Sequence, residues 1–383
     1  MKKICVVIGS RANYASSKSL LRAINQHDGL TLQLVVGASA VLDRYGSVVD
    51  LIESDGFSID AAIHMLIEGE SPVTMAKSTG LGLIELPSVF SRLQPDIVVT
   101  IGDRFETMAT AIAASYMNIP LAHTMGGEVS GTIDESIRHA VTKLAHLHFA
   151  ASQSAAERII KMGENPDHVF NVGCPRIDLI KETITSNKSI NLKHIFGSGV
   201  GNILDVTKPF LLLLQHPVTT EYADAEAQIS ETLKAVKSTG LPTITMWPNA
   251  DAGSDGVSRG IRKFREDHPD YNMHFFKNLQ VEDYIWLMHS AVCLLGNSSS
   301  GIRDAAYIGT PVVNIGTRQD GRDRGQNVVD ATYSSSDILD KLTHQLRHGR
   351  YPSDAIYGDG NSGGRIADLL HDREVSVQKS INY

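Results

Sequence analysis

A chain of 383 residues, 42% hydrophobic and 20% charged, is long enough for two or three domains with buried cores of their own. Its 43 acidic and 35 basic residues are interspersed and leave a net charge of −8, so it lacks the basic stripe that nucleic-acid binding requires. Cys5, Cys174 and Cys293 are too far apart for a metal motif or a disulfide framework. No cleavable signal precedes the first strand and no apolar stretch approaches the roughly 18 residues of a membrane span, so a cytoplasmic protein without a membrane partner is expected.

Short β-branched runs alternate with segments of helical period, the pattern of parallel sheets covered by helices. Strands are predicted at Ile4–Ile8, Leu32–Val36, Ile97–Ile101, Leu121–Thr124 and His148–Ala151, with helices at Ser17–Asn25, Thr74–Leu93, Thr107–Met117 and Asp134–Leu144 between them. The stretch 187–208, rich in Asn, Lys, Ser and Gly, reads as a linker or a loosely packed edge. A second series follows, with strands at Phe210–Leu214, Thr243–Trp247, His274–Phe276, Ala291–Leu295 and Val312–Ile315. Its helices are predicted at Ala225–Lys237, Val257–Asp267, Val281–His289, Ser300–Tyr307 and Ser336–His348. A two-domain α/β chain of this kind is expected to bind its ligand in a cleft, outside the carboxyl ends of the strands.

The polar motifs follow these strands. Gly9-Ser-Arg11 offers backbone N–H groups and a guanidinium to an anion, although neither a dinucleotide nor a triphosphate glycine motif is present. Gly102-Asp103-Arg104-Phe105-Glu106 sets acid and base side by side after an apolar strand. An N-cap Asp would explain the acid but not the Arg. In Gly126-Gly127-Glu128-Val-Ser-Gly131-Thr-Ile-Asp134-Glu135, glycines permit close backbone approach, and three carboxylates crowd together, which raises proton affinity toward the range useful for acid–base work. Asp134 and Glu135 also suit a helix first turn, whereas Glu128 lies in the loop itself. His139, His146 and His148 have no common metal spacing. In the second half, His216 ends an apolar strand before Pro217, and Trp247-Pro-Asn249-Ala-Asp251 ends the next. Ser298-Ser299-Ser300 open a helix as a seat for diphosphate, with Asp304 one turn later as an acceptor for ribose hydroxyls; a plain Ser N-cap would account for one serine only. Arg318 and Arg322 add cations.

With these motifs in hand, the chain resembles the hydrolysing UDP-N-acetylglucosamine 2-epimerases, including the epimerase half of the bifunctional animal enzyme of sialic acid biosynthesis. The resemblance runs from the first strand to Tyr357-Gly-Asp-Gly-Asn361. It is carried by Gly102-Asp-Arg-Phe105, Gly126-Gly-Glu-Val-Ser-Gly-Thr-Ile-Asp134, Ser136-Ile-Arg-His139, Gln215-His-Pro-Val-Thr-Thr220, Asp251-Ala-Gly-Ser254, Gly296-Asn-Ser-Ser299 and Gly316-Thr-Arg-Gln319. It implies an α/β fold of two Rossmann-like domains in the glycosyltransferase-B arrangement with an interdomain cleft, residues 1–186 and 187–360, with a C-terminal helix over 361–383 packing back on the first. It also implies a homodimer or homotetramer acting on a UDP-sugar without metal or redox cofactor. Arg11, Arg104, His216, Asn249, Ser298, Ser299 and Arg318 match its ligand contacts, and Asp103 and Asp134 its acid–base set.

Three positions depart from the pattern: Ala15 stands where Ser is usual, Asp304 replaces Glu, and Met125 stands where relatives carry Glu or His. The last makes Glu128 a further acid–base candidate. The expected catalytic set is therefore Asp103, Glu128, Asp134 and His216, and the expected substrate contacts are Arg11, Arg104, Asn249, Leu279, Ser298, Ser299, Asp304 and Arg318. The reaction implied is removal of the carbon-2 proton with loss of UDP to give a glycal, then addition of water at carbon 1 and reprotonation of carbon 2 on the opposite face. The product would be a free N-acetylmannosamine-type sugar for nonulosonate biosynthesis. The lost polar groups at Ala15 and Met125 suggest UDP-N,N′-diacetylbacillosamine, on the legionaminic acid route, as an alternative substrate. The rival readings are a glycosyltransferase of the same architecture, a non-hydrolysing epimerase and a catalytically inactive nucleotide-sugar sensor.

Overall fold

The computed structural model describes residues 1–42, 48–67, 72–130, 133–186, 191–248, 253–277 and 279–382. Two compact units emerge. The first is built on Met1–Val129, Ile133–Leu179 and the chain from Tyr357 onward, the second on Ile180–Ile356.

The first unit holds β1 (Lys2–Ile8), β2 (Leu30–Gly37), β3 (Ala61–Ile63), β4 (Ile97–Ile101), β5 (Leu121–Thr124), β6 (Leu147–Ala150) and β7 (Val169–Asn171). They form one sheet in the order β3-β2-β1-β4-β5-β6-β7, every pair parallel. β4, β5 and β6 are buried along their whole length, because helices cover both faces of a parallel sheet. The second unit holds β8 (Val200–Gly201), β9 (Leu211–Leu214), β10 (Thr243–Met246), β11 (Met273–Phe276), β12 (Cys293–Gly296), β13 (Val312–Ile315) and β14 (Val328–Ala331). Their order is β14-β13-β12-β9-β10-β11-β8, parallel except for β8, which runs antiparallel to β11 at the edge. Apart from β7 and β8, both sheets follow the doubly wound order, and each unit is Rossmann-like.

This order fixes where a ligand belongs. From β1 the chain winds outward through β2 and β3 and then returns to the other side of β1 as β4. The loops leaving β1 and β4 therefore diverge to opposite faces of the sheet, and a crevice opens at their carboxyl ends. β9 and β12 repeat the geometry in the second unit.

All ten predicted strands are present, within two residues at their ends. β3, β7, β8 and β14 lie outside the predicted set; they have two to four residues each, with one buried residue apiece in β3 and β14 and none in β7 or β8. The stretch 187–208 is partly an edge: Leu192–Gly197 is helical and β8 pairs with β11, while residues 187–190 lie outside the described ones. Two helix predictions are corrected. Ser300–Tyr307 is two short helices, Ser299–Ile302 and Asp304–Ile308, because the chain turns at Arg303 (φ −92°, ψ −59°). The helix predicted over 361–383 ends at Asp372. Its start is capped by the Asp178 carboxylate, which accepts from the N–H groups of Ser362 (2.9 Å) and Gly363 (2.7 Å), and it packs on the helix Lys18–Gln26. Beyond it, tertiary contacts replace helical ones. Lys379 Nζ donates to the carbonyls of Lys143 and Ala145 and to the Glu164 carboxylate, and His146 Nε2 donates to Val377 O. Among the described residues, no helix is long and apolar enough to cross a membrane.

Candidate active site

At the carboxyl end of β1, Ser10 caps the short helix Arg11–Ala15 by accepting from Asn13 N at 3.2 Å. Asn13 ties this turn to β4: its Oδ1 accepts from Gly9 N (3.2 Å) and its Nδ2 donates to Ile101 O (3.3 Å). Arg11 stands half-buried at the first position of that helix. At the end of β4 come Asp103, half-buried, and Arg104, exposed, before the helix Phe105–Tyr116.

The Asp103 carboxylate is held by Arg138, whose second nitrogen Nη1 donates to Glu128 O at 2.7 Å. Arg138 is 1% exposed and projects from the helix Ile133–Leu144, so one buried guanidinium joins the loop after β4 to the glycine-rich loop after β5. A charge-assisted hydrogen bond from a buried guanidinium fixes the carboxylate, while the other nitrogen fixes the glycine-rich loop. Glu128 is buried in that loop, and Asp134 lies half-buried in the first turn of the following helix. His123, on β5, donates from Nε2 to Gly102 O (2.7 Å) and fixes the peptide ahead of Asp103. Burial lowers its pKa to about 4, so the imidazole is neutral.

In the second unit, His216 and Asn297 lock β9 to β12. His216 N donates to Asn297 Oδ1 (2.7 Å), and Asn297 Nδ2 returns a bond to His216 O (2.8 Å). Asn297 O then accepts from Arg318 Nη1 (3.1 Å) and Gln319 Nε2 (2.8 Å), which brings the turn after β13 to the same place. His216 is buried, and desolvation, aided by the Arg318 charge, lowers its pKa to about 3. It too is a neutral imidazole. Ser298 caps the helix Ser299–Ile302, its Oγ 3.0 Å from that of Ser300, which in turn meets Tyr284 Oη at 2.7 Å. The close seam needs Gly296: with φ +123°, an added Cβ would lie 2.0 Å from Leu214 O.

A profile of the UDP-N-acetylglucosamine 2-epimerase family matches residues 22–371. The chain belongs to this family. It is 36% identical over 371 residues to the UDP-N,N′-diacetylbacillosamine 2-epimerase (hydrolyzing) of Legionella pneumophila, covering 97% of this chain and 96% of that one. With the UDP-N-acetylglucosamine 2-epimerase of Neisseria meningitidis serogroup B it shares 29% identity, covering 99% and 98%. Among solved structures, the N. meningitidis UDP-GlcNAc 2-epimerase bound to UDP-GlcNAc superposes with a TM-score of 0.80 at 16% identity, over 97% of this chain and 100% of that one, so the fold is shared.

Within this member of the family, the first unit gathers Arg11, Asp103, Arg104, Glu128 and Asp134 around the carboxyl ends of β1, β4 and β5. The second gathers His216, Ser298, Ser299 and Arg318 around those of β9, β12 and β13. Leu279 is half-buried between β11 and the helix Val281–Ser290, and Asp304 is buried at the start of its own short helix. Asn249 and Asp251 lie outside the described residues. Met125 is buried beside the loop with φ +61°, its Sδ 3.7 Å from Cys174 Sγ. His139 faces Glu135 at 3.5 Å, while His148 donates to Glu164 at 3.1 Å.

Sequence reasoning gave no role to Arg138, Asn297 or His123. Arg138 left one legible sign: it follows Asp134 by one helical turn, on the face of the helix that turns inward. Asn297 stood inside the Gly296-Asn-Ser-Ser299 motif with no role of its own, and His123 left no sign, because their partners are backbone groups at the ends of other strands.

Proposed function

We infer that the protein is a hydrolysing UDP-sugar 2-epimerase: it takes a UDP-2-acetamido sugar of gluco configuration and releases UDP and a free manno-configured 2-acetamido sugar. The observation that carries the reading is the placement of its polar side chains. Carboxylates crowd the switch point of one Rossmann-like sheet, while serines, a neutral histidine and an arginine crowd that of the other. Family membership points the same way.

The chemistry divides between these sets. Asp103, aligned by Arg138, and Asp134 form the acid–base pair, with Glu128 in the loop between them. One carboxylate takes the carbon-2 proton as the C1–O bond to UDP breaks, leaving a C1=C2 double bond. Water then bonds to carbon 1, giving up a proton, while an acid on the other face delivers a proton to carbon 2. The net change is substrate plus water to UDP plus free sugar. Ser298, Ser299, Arg318, Arg11 and Arg104 receive the charge of the departing diphosphate, as donors fixed before the reaction begins. His216, being neutral, donates or accepts without adding charge. The residues themselves provide these functions, and the reaction calls for neither a metal nor a redox cofactor.

For the sugar itself, the reading favours the 4-acetamido-6-deoxy type. The relative named for UDP-N,N′-diacetylbacillosamine is more similar than the one named for UDP-N-acetylglucosamine, and Met125 makes its corner of the loop apolar. A chain incubated in heavy water with each nucleotide sugar is expected to release UDP and free sugar deuterated at carbon 2, about tenfold faster or more from the diacetylbacillosamine substrate by kcat/KM. That ratio corresponds to roughly the discrimination a modest apolar contact supplies. A product that keeps its UDP would replace hydrolysis by simple epimerisation. A strict need for an acceptor would make the protein a glycosyltransferase, and absence of turnover with retained binding would leave a sensor.

A further inference from the structure

Glu106 is a buried acid that the reaction above does not use. It sits in the first turn of the helix Phe105–Tyr116 and is 5% exposed. No other side chain among the described residues donates a hydrogen bond to either of its carboxylate oxygens. A carboxyl group in that state is costly to keep, and a glutamine or leucine would fill the space at less cost. The chain also makes room for it. An added Cβ on Gly9 would lie 2.2 Å from Glu106 Cγ and 2.7 Å from Oε1, so the side chain lies directly against the turn after β1. It therefore bridges the two strands whose divergence opens the crevice.

Among the described residues it pairs with Arg104, whose Nε lies 3.3 Å from Oε1. The two ends of this pair differ sharply: the Glu106 side chain is 6% exposed and that of Arg104 45%. One partner is anchored under the strand ends and the other reaches outward. The charged groups that act on Glu106 are Arg104, Asp103 and Asp134, which places it within the field of the acid–base pair. Burial raises its pKa; the Arg104 charge opposes that shift and the two aspartates add to it.

We propose that Glu106 is a positioning residue of the reaction, anchoring the Arg104 guanidinium at the carboxyl end of β4 so that it meets the departing diphosphate in a fixed direction. The proposal rests on the epimerase reading. A flexible surface arginine would gather phosphate charge loosely, whereas one tethered at Nε presents its guanidinium plane in a fixed direction.

The test is a double-mutant cycle in the full-length protein. Glu106→Gln keeps the shape and removes the anchoring charge. Both Glu106→Gln and Arg104→Ala are expected to lower kcat/KM by about 10²-fold, and the double variant to fall no more than about threefold below the weaker single variant. Losses that multiply in the double variant, or a Glu106→Gln variant within twofold of wild type, overturn the proposal. A second measurement needs no turnover. Titration of the 13C-labelled Glu106 carboxyl is expected to move to higher pH in Arg104→Ala, since the cation that opposes its rise is gone; an unmoved titration also overturns the proposal. Wild-type release of UDP and free sugar, scored separately, tests the epimerase reading itself.

Discussion

Arg138 shows how a single buried side chain organises the candidate site. Its guanidinium is desolvated, and it is satisfied by a carboxylate on one loop and a backbone carbonyl on another. Removing it would take one donor from the Asp103 carboxylate and one from Glu128 O. Arg138→Met is expected to lower stability by about 2–3 kcal/mol, between the cost of a charged hydrogen bond and that of a fully buried ion pair, measured by chemical denaturation. The acids themselves should behave differently. Asp103→Asn and Asp134→Asn are expected to reduce turnover by about 10²–10⁴-fold each while UDP still binds, because the proposed mechanism sets them on the sugar and not on the nucleotide. Near-normal rates with binding intact would remove them from the mechanism. The histidines are quieter. With pKa values near 4 and 3, His123 and His216 carry no charge between pH 5 and 8, so neither supplies a pH limb to activity in that window.

At the scale of elements, the seam between β9 and β12 is tightly constrained. Gly296 allows the strand to pass within contact of Leu214 O, and the reciprocal His216–Asn297 pair then closes over it. Gly296→Ala places a methyl group where a carbonyl already lies, in a backbone conformation that L side chains rarely adopt. A loss of at least about 2 kcal/mol is expected, read as a lower denaturation midpoint, with UDP binding weakened alongside because Ser298 and Arg318 hang from the same seam. Retained binding and stability would show that the seam relaxes freely. This element was only half legible in advance. The apolar strands and the serine run stand out in the chain, but the 81-residue reach from His216 to Asn297 does not.

Over the whole molecule, the chain's end returns to close the first unit. Lys379, Lys143 and His148 converge on Glu164, which is buried in unit one. Burial by itself would raise the Glu164 pKa, but the hydrogen bonds from His148, Lys143 and Lys379 overcome it and hold it at about 2. A folded-state value below the ordinary carboxylate value near 4.3 gives stability that is present above that pH and is lost as pH falls toward 2. Lys379→Met is therefore expected to move acid unfolding to higher pH, and an unchanged acid midpoint would show that the tail contributes nothing there. The predicted helix over 361–383 missed this arrangement because the helical period cannot report that Lys379 has a better partner more than two hundred residues away. By itself, the sequence determined the alternation of strand and helix, the ten apolar strands and the polar motifs at their carboxyl ends, since burial period and turn chemistry are local properties. Only the tertiary structure decided which strands are neighbours, that β1 with β4 and β9 with β12 flank the crevices, and that Arg138, Glu106 and Asn297 lie inside. Parallel strands find partners through distant backbone groups, and a buried charge contradicts the composition rules that make a core readable.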